Sequence, residues 1–319
     1  MSKRPHPILL ALLIAIMVAS WSLNFVFGKV GLRYLAPLPL ASFRVVLAGL
    51  LMVPVYFLFA PRGRAGASAM PILRFHRRNF WTLVQLGFLG VVVNQICFTV
   101  GLNYTTVGHS ALIIGMGPIV ILLLAWMKGL EALTVKKMLG MAISFAGVTL
   151  LALEHGISLR SGTLRGDLIT FAGSLGFALF TVQGKPVAEA YDSVTINAFN
   201  YFIGAVMVLP LAIQQAMVLS RAGGWTTVAW QGWAVLVFMA VFASVLAYLI
   251  YFWALGHMAA SRLSAFSYLH PVITTAMGVG LLGEKLTRNL LVGGTLVLVG
   301  VYLVEAGRED QRSETHVSL

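Results

Sequence analysis

His270 stands directly before Pro271 in an apolar run that also carries Ser264, Ser267 and Tyr268. A proline inside a helix removes a backbone donor and frees the carbonyl four residues earlier, here that of Ser267, which sets an acceptor beside an imidazole. At about 1.5 Å per residue, His270 lies roughly 13 Å along its run, near the middle of a bilayer-crossing helix. Two readings follow: a satisfied structural donor, or a solute ligand or proton relay. Elsewhere Val91, Asn94, Gln95 and Phe98 share one helical face. A comparable strip, Ser244, Tyr248 and Tyr251, recurs at an offset of 153 residues. Trp21, Asn24 and Phe25 mark the first apolar run, and Ser174, Phe177 and Thr181 the sixth. Buried amides and hydroxyls are costly in lipid without partners or water, so these strips face protein or a cavity. They serve either interhelical hydrogen bonding or reversible contact with a small amphipathic solute. No Asp or Glu lies in the middle of any apolar run, which removes the usual carboxylate proton relay and the group that would orient a serine and histidine for hydrolysis.

The elements that must position these residues are helices in a bilayer. With 59% hydrophobic and 10% charged residues and a mean hydropathy of +0.90, the chain cannot keep its apolar surface from water as a soluble domain. About 20 apolar residues cross a hydrocarbon core, and ten runs qualify: 8–27, 39–59, 80–100, 107–127, 134–153, 166–183, 195–218, 230–252, 261–282 and 287–305. Continuous runs of this kind exclude a barrel of alternating strands. The expectation is an all-α integral membrane protein. The run after Lys3 and Arg4 resembles a signal peptide, but Trp21, Ser22 and Asn24 occupy the place of a small-residue cleavage site, so it reads as a retained first helix. The single cysteine, Cys97, lies inside a run and allows neither a disulfide nor a cysteine metal cluster.

Residues 101–150 recur at 254–303, an offset of 153 that superimposes Pro118 on Pro271, Glu131 on Glu284, Thr134 on Thr287, Gly140 on Gly293 and Gly147 on Gly300. The first two runs repeat at an offset of 156, with Lys29 on Lys185 and Pro54 on Pro210. The chain is a duplication. Five crossings per half is an odd number, so the second half enters from the opposite side: a 5+5 inverted repeat around a central cavity. The repeats are 1–155 and 166–306, joined by a polar link and followed by a tail at 307–319.

The net charge of +12 is distributed by side and not in a nucleic-acid-binding patch. Of the 22 basic residues, 14 fall on one side and 7 on the other, with Arg44 inside a run. The excess puts both termini in the cytoplasm, with the chain in the cytoplasmic (inner or plasma) membrane. The loop 61–79, with Arg62, Arg64, Arg74, Arg77 and Arg78, reads as an anchor to anionic headgroups.

Several stretches carry a family resemblance. The ASWSLNFVFGK of the first run, the FRVVLAGLLMVP of the second, and GLNYTTVGHSALIIGMGP followed by Glu131, Thr134, Gly140 and Gly147 resemble the EamA family of the drug/metabolite transporter superfamily. The resemblance implies a ten-helix carrier of small metabolites with a cavity lined by the first, third, fourth, sixth, eighth and ninth helices. It does not imply a particular solute.

On these grounds the expected substrate contacts are Trp21, Asn24, Asn94, Gln95, Phe177, Tyr248, Tyr251, Ser264, Ser267, Tyr268 and His270. Pro118 and Pro271 would bend their helices. In the assigned topology Lys29 and Glu284 share one face of the membrane, and Lys185 and Glu131 the other. Two ion pairs, one per face, would suit alternating gates, or each glutamate would belong to a cap ahead of Thr134 or Thr287. Arg44 either snorkels or pairs structurally, or attracts an anionic solute group. Asp167 reads as an N-cap. The function expected is export of an amino acid or related amphipathic metabolite by alternating access, without a cofactor or metal. An intramembrane enzyme acting on a lipid or small metabolite is the alternative. The partners are the solute and the bilayer, with no nucleic acid and no oligomeric state implied.

Overall fold

The computed structural model describes residues 6–60, 77–105, 107–154, 164–221, 223–273 and 288–306. Among these every regular element is helical. We number them α1 (Pro7–Gly31), α2 (Pro37–Phe59), α3 (Phe80–Tyr104), α4 (Val107–Gly115), α5 (Gly117–Met127), α6 (Val135–Glu154), α7 (Leu164–Ala190), α8 (Ser193–Arg221), α9 (Trp230–His257), α10 (Ala260–Ala265) and α11 (Arg288–Ala306). Six of them, α1, α2, α3, α7, α8 and α9, are long and apolar enough to cross a membrane, and shorter apolar stretches occupy Leu112–Met127 and Leu291–Ala306. In hydrocarbon every backbone donor and acceptor must be met internally, and a helix does this within one segment.

Each long helix runs further than its apolar core. The seventh reaches Ala190, where the apolar run ends at 183, and the ninth continues to His257. Hydrogen bonding propagates through the interfacial turns at one bond per residue, so the last apolar residue does not end the helix.

The regular pattern breaks in matched places. α3 contains a π-helical stretch at Gly87–Val93, and α9 one at Met239–Leu246. The expected single run at 107–127 is interrupted at Met116, so that Pro118 falls in the first turn of α5, where its missing N–H removes no bond. α10 passes into a 3-10 turn at Phe266–Tyr268 immediately ahead of Pro271. Both proline-bearing segments are therefore distorted just before the proline, as the freed carbonyl and ring clash require. At the start of α6, Thr134 Oγ1 accepts from Lys137 N–H at 3.3 Å, the cap expected there.

Close approach of small residues sets the packing between the sequence halves. On α6 and α11, a Cβ added at Gly140 would lie 2.6 Å from the Gly300 carbonyl oxygen, and one at Gly147 would lie 2.6 Å from that of Gly293. Ser144 donates to the carbonyl of Val297 at 3.4 Å. α2 crosses α8 at Gly49, where a Cβ would come within 2.7 Å of the Ala205 methyl. Interfaces of this type are usual in membranes, where small side chains let backbones approach and gain dispersion energy.

Candidate functional site

α1, α2, α3, α4, α5, α7 and α9, with the segment that follows α10, line a cavity of about 100 Å³. Trp21, Asn24, Asn94, Gln95, Phe177, Tyr248, Ser267 and His270, all expected from their types and spacing, line it. Pro118 lines it as well, since the break at Met116 turns the start of α5 inward.

One wall is aromatic. Trp21 packs edge-on against Phe177, with centroids 5.8 Å apart, and against Tyr248 at 5.5 Å. Its ring lies 6.1 Å from the imidazole of His270. Phe25 and Phe98 meet edge-on at 5.1 Å. The indole donates to the Ala243 carbonyl at 3.0 Å, so the π-helical stretch of α9 supplies the acceptor that fixes the Trp21 rotamer.

The other wall is a polar network. Gln95 donates to Tyr201 Oη at 2.7 Å, and Tyr201 passes the chain on to the Ser244 carbonyl at 3.0 Å. The Gln95 carbonyl oxygen accepts from Ser244 Oγ at 3.1 Å. Asn94 donates to the Gly173 carbonyl at 3.1 Å and accepts from Tyr248 Oη at 3.0 Å. Shared in this way, the amides are held in one orientation each. Replacing Tyr248 by Phe deletes a hydroxyl whose one proton is shared between Asn94 Oδ1 at 3.0 Å and the Gly90 carbonyl at 3.3 Å. The expected result is a loss of about 1 kcal/mol in detergent unfolding, the net value of one hydrogen bond, with a weaker solute interaction because Asn94 is released.

His270 Nδ1 lies 3.1 Å from Ser22 Oγ. Ser22 itself donates to the Val18 carbonyl at 2.8 Å, so its hydroxyl is engaged with its own helix, and among the described residues no carboxylate lines the cavity. This is not the setting of a nucleophile.

Three expected contacts fall elsewhere. Tyr251 reaches Thr181, with hydroxyls 2.5 Å apart, in a buried layer beside the cavity. Ser264 donates to the Ser261 carbonyl of its own helix at 2.9 Å. Tyr268 is buried with Leu122, Met141, Val148 and Val297 on the side toward α6 and α11. One residue beyond Ser267, Tyr268 is carried roughly a third of a turn off the face that Ser267 and His270 share.

The expected pairing of Lys185 with Glu131 is replaced by other contacts. Lys185 donates to the carbonyls of Leu255 and Met258 at 2.8 and 3.0 Å, at the end of α9, and pairs with Glu189 at 2.8 Å. Glu131 accepts from Ser261 N–H at 3.0 Å, from Ser261 Oγ, and from Lys137 at 3.0 Å. Each charge goes to the helix terminus of complementary sign: the lysine to free carbonyls, the glutamate to free amides. Lys29 likewise donates to the carbonyls of Leu102 and Thr105 at 2.6 and 3.1 Å, at the end of α3. Glu284, its expected partner, lies outside the described residues. Asp167 lies within the first turn of α7 and accepts from Thr105 Oγ1, so it is not the N-cap.

The residue that spacing did not bring to the cavity is Arg44. It does not snorkel: it is 2% exposed, donates through Nε to Ser244 Oγ at 2.8 Å and lines the cavity. Thr170, Gly173 and Ser174 of α7 also line it.

The sequence model of the EamA-like transporter family matches residues 8–153 and 164–306. The chain is 28% identical to an uncharacterized transporter of Archaeoglobus fulgidus, over 92% of this chain and 96% of that protein. It is 24% identical to a probable amino-acid metabolite efflux pump of Salmonella typhimurium, over 95% and 96% respectively. A protein of known crystal structure shares the fold with a TM-score of 0.70 at 16% identity, covering 92% of this chain and 95% of that one.

Proposed function

Because the chain belongs to the EamA-like transporter family, we propose that it carries a small amphipathic metabolite, an amino acid or a close relative, out across the cytoplasmic membrane by alternating access. The observation that carries this reading is the cavity itself, lined by helices from both halves and walled by rings, neutral hydrogen-bonding groups and the one guanidinium of Arg44. Such a lining binds reversibly and offers no bond-breaking chemistry. The amino-acid assignment and the outward direction draw support from the Salmonella typhimurium relative, whose name describes efflux of amino-acid metabolites.

The carrier has ten crossings in two five-helix halves of opposite orientation, α4 with α5 forming one crossing. Support comes from residues that touch their own repeat equivalents. Trp21 meets Phe177 and Gly49 meets Ala205, both at the offset of 156, while Ser144 meets Val297 at 153. A residue can touch its own counterpart only near a two-fold axis. Gly140 against Gly300 and Gly147 against Gly293 form a reciprocal pair about that axis, as two-fold packing demands. Lys29 on the end of α3 and Lys185 on the end of α9 are likewise counterparts acting on counterpart carbonyls, Leu102 with Thr105 and Leu255 with Met258. We assign one such lysine clasp to each gate, released in turn as the halves rock.

The test is uptake and counterflow in proteoliposomes with labelled amino acids, nucleosides and cationic drugs. Amino acids are expected to exchange unaltered. Chemical conversion of the solute, or no movement of any of these classes, would refute the reading. Tags on the two termini are expected to be accessible from the same, cytoplasmic side.

A further inference from the structure

Among the described residues, three buried polar atoms on the cavity's lining side chains lack hydrogen-bond partners: Nη1 of Arg44, Oδ1 of Asn24 and Oγ1 of Thr170. Arg44 uses Nε on Ser244, but its Nη1 is buried and has no hydrogen-bond partner among the described residues. Asn24 is 6% exposed, and its Oδ1 is in the same condition. Both residues line the cavity. No described carboxylate forms a salt bridge with Arg44. A buried guanidinium without a described counter-ion bears a cost of desolvation that the single bond to Ser244 offsets only in part. That cost makes sense if the counter-ion arrives with the cargo.

We infer that the solute carries a carboxylate that docks on Nη1 of Arg44, and a hydrogen-bond donor that reaches Oδ1 of Asn24. This deepens the transport reading and rests on it. A guanidinium held at one edge by Ser244 keeps its other donors in a fixed fork, which suits a planar carboxylate. The aromatic rings of Trp21, Phe25 and Phe177 then receive the apolar remainder. An α-amino acid meets all three requirements. A lipophilic amine meets only the last two.

The experiment is calorimetry on the full-length protein in detergent with L-phenylalanine, L-leucine, 3-phenylpropionate and phenethylamine. Carboxylates are expected to bind, L-phenylalanine more tightly than 3-phenylpropionate. Phenethylamine is expected to bind at least about tenfold more weakly than L-phenylalanine, the value of one hydrogen bond to a charged group. Equal binding of phenethylamine, or no binding of any carboxylate, overturns the inference. Arg44→Gln is expected to weaken carboxylate binding at least about tenfold, to leave phenethylamine unchanged and to preserve or raise the unfolding temperature of the empty protein. A merely structural arginine predicts the reverse: a lower unfolding temperature with affinity intact in whatever folds. The matched ligands on the unaltered protein decide between these even if the variant fails to fold. Proteoliposomes separate this inference from the transport reading. Movement of neutral or cationic solutes but not carboxylates removes the anchor and leaves transport. Carboxylate binding without movement of any solute removes transport and leaves the anchor.

Discussion

Gly140→Ala is expected to destabilise the protein far more than one methyl group suggests, because that methyl would press on the backbone of another helix. The added Cβ would lie 2.6 Å from the Gly300 carbonyl oxygen and 2.8 Å from a Val304 methyl. Neither is the free end of a flexible side chain, so α6 and α11 would have to separate. Separation loses the dispersion contacts along the whole interface, which is the main attraction between helices once both are surrounded by lipid. Gly147→Ala presses on the Gly293 carbonyl oxygen in the same way, at 2.6 Å. Each substitution is expected to cost about 1–3 kcal/mol or more by overpacking. The two together remove a large share of a net stability of the order of 5–15 kcal/mol. Thermal unfolding in detergent, followed by loss of monodisperse protein, is the measurement. Gly294→Ala on the same helix is the control. There the nearest atom to the new methyl is a Val272 methyl at 3.8 Å, an ordinary contact, and the change should be tolerated. Equal losses at Gly140 and Gly294 would mean that helix propensity or flexibility matters here and close approach does not.

The duplication makes much of this architecture legible. Pro118 and Pro271, Gly140 and Gly293, and Gly147 and Gly300 keep their register because each has a backbone task, and backbone tasks leave residue types that a sequence cannot disguise. The strips of Asn94 with Gln95 and of Ser244 with Tyr248 are visible because polar groups at helical spacing inside an apolar run must face one another or a cavity. Arg44 is not visible in this way. Its partner Ser244 is 200 residues away, and a cation a few residues into an apolar run looks the same whether it reaches for the interface or turns inward. Residue type and depth alone bring Tyr268 to the cavity, whereas helical geometry sets it roughly a third of a turn off the face that Ser267 and His270 share. Opposite charges invite a pairing of the lysines with the glutamates of the repeat. The geometry of Lys29, Lys185 and Glu131 instead follows the unsatisfied amides and carbonyls at helix ends, groups that every residue carries and no letter in the sequence marks.

Removing Glu131 should be the second large loss, and the repeat shows how to recover it. Lys137 is 1% exposed and Glu131 6%, and their ion pair at 3.0 Å is joined by Ser261 N–H at 3.0 Å and by Ser261 Oγ. Glu131→Ala strips Lys137 of its counter-charge in a place water hardly reaches and also frees an amide in the first turn of α10. Loss of one partner of a buried pair typically costs about 3–5 kcal/mol, most of it the burden of the charge left behind. In the register of the repeat, 153 residues on, the residue equivalent to Lys137 is Leu290, so the duplicated sequence carries an apolar residue at the same position. Lys137→Leu alone leaves the Glu131 carboxylate buried without its cation, but Glu131 keeps its two bonds from Ser261, so the loss is expected to be smaller than that of Glu131→Ala. Glu131→Ala with Lys137→Leu should recover most of what Glu131→Ala loses, leaving only the missing cap, about 1 kcal/mol. Denaturant unfolding of the three variants forms the cycle. If the double variant is as unstable as Glu131→Ala, the damage lies in the freed terminus of α10, and the buried charge contributes nothing. Because α10 leads directly into Ser267 and His270 at the cavity, that outcome would also be expected to weaken solute binding in both variants alike. Recovery of stability without recovery of binding would then locate the functional part of this contact in the bond to Ser261.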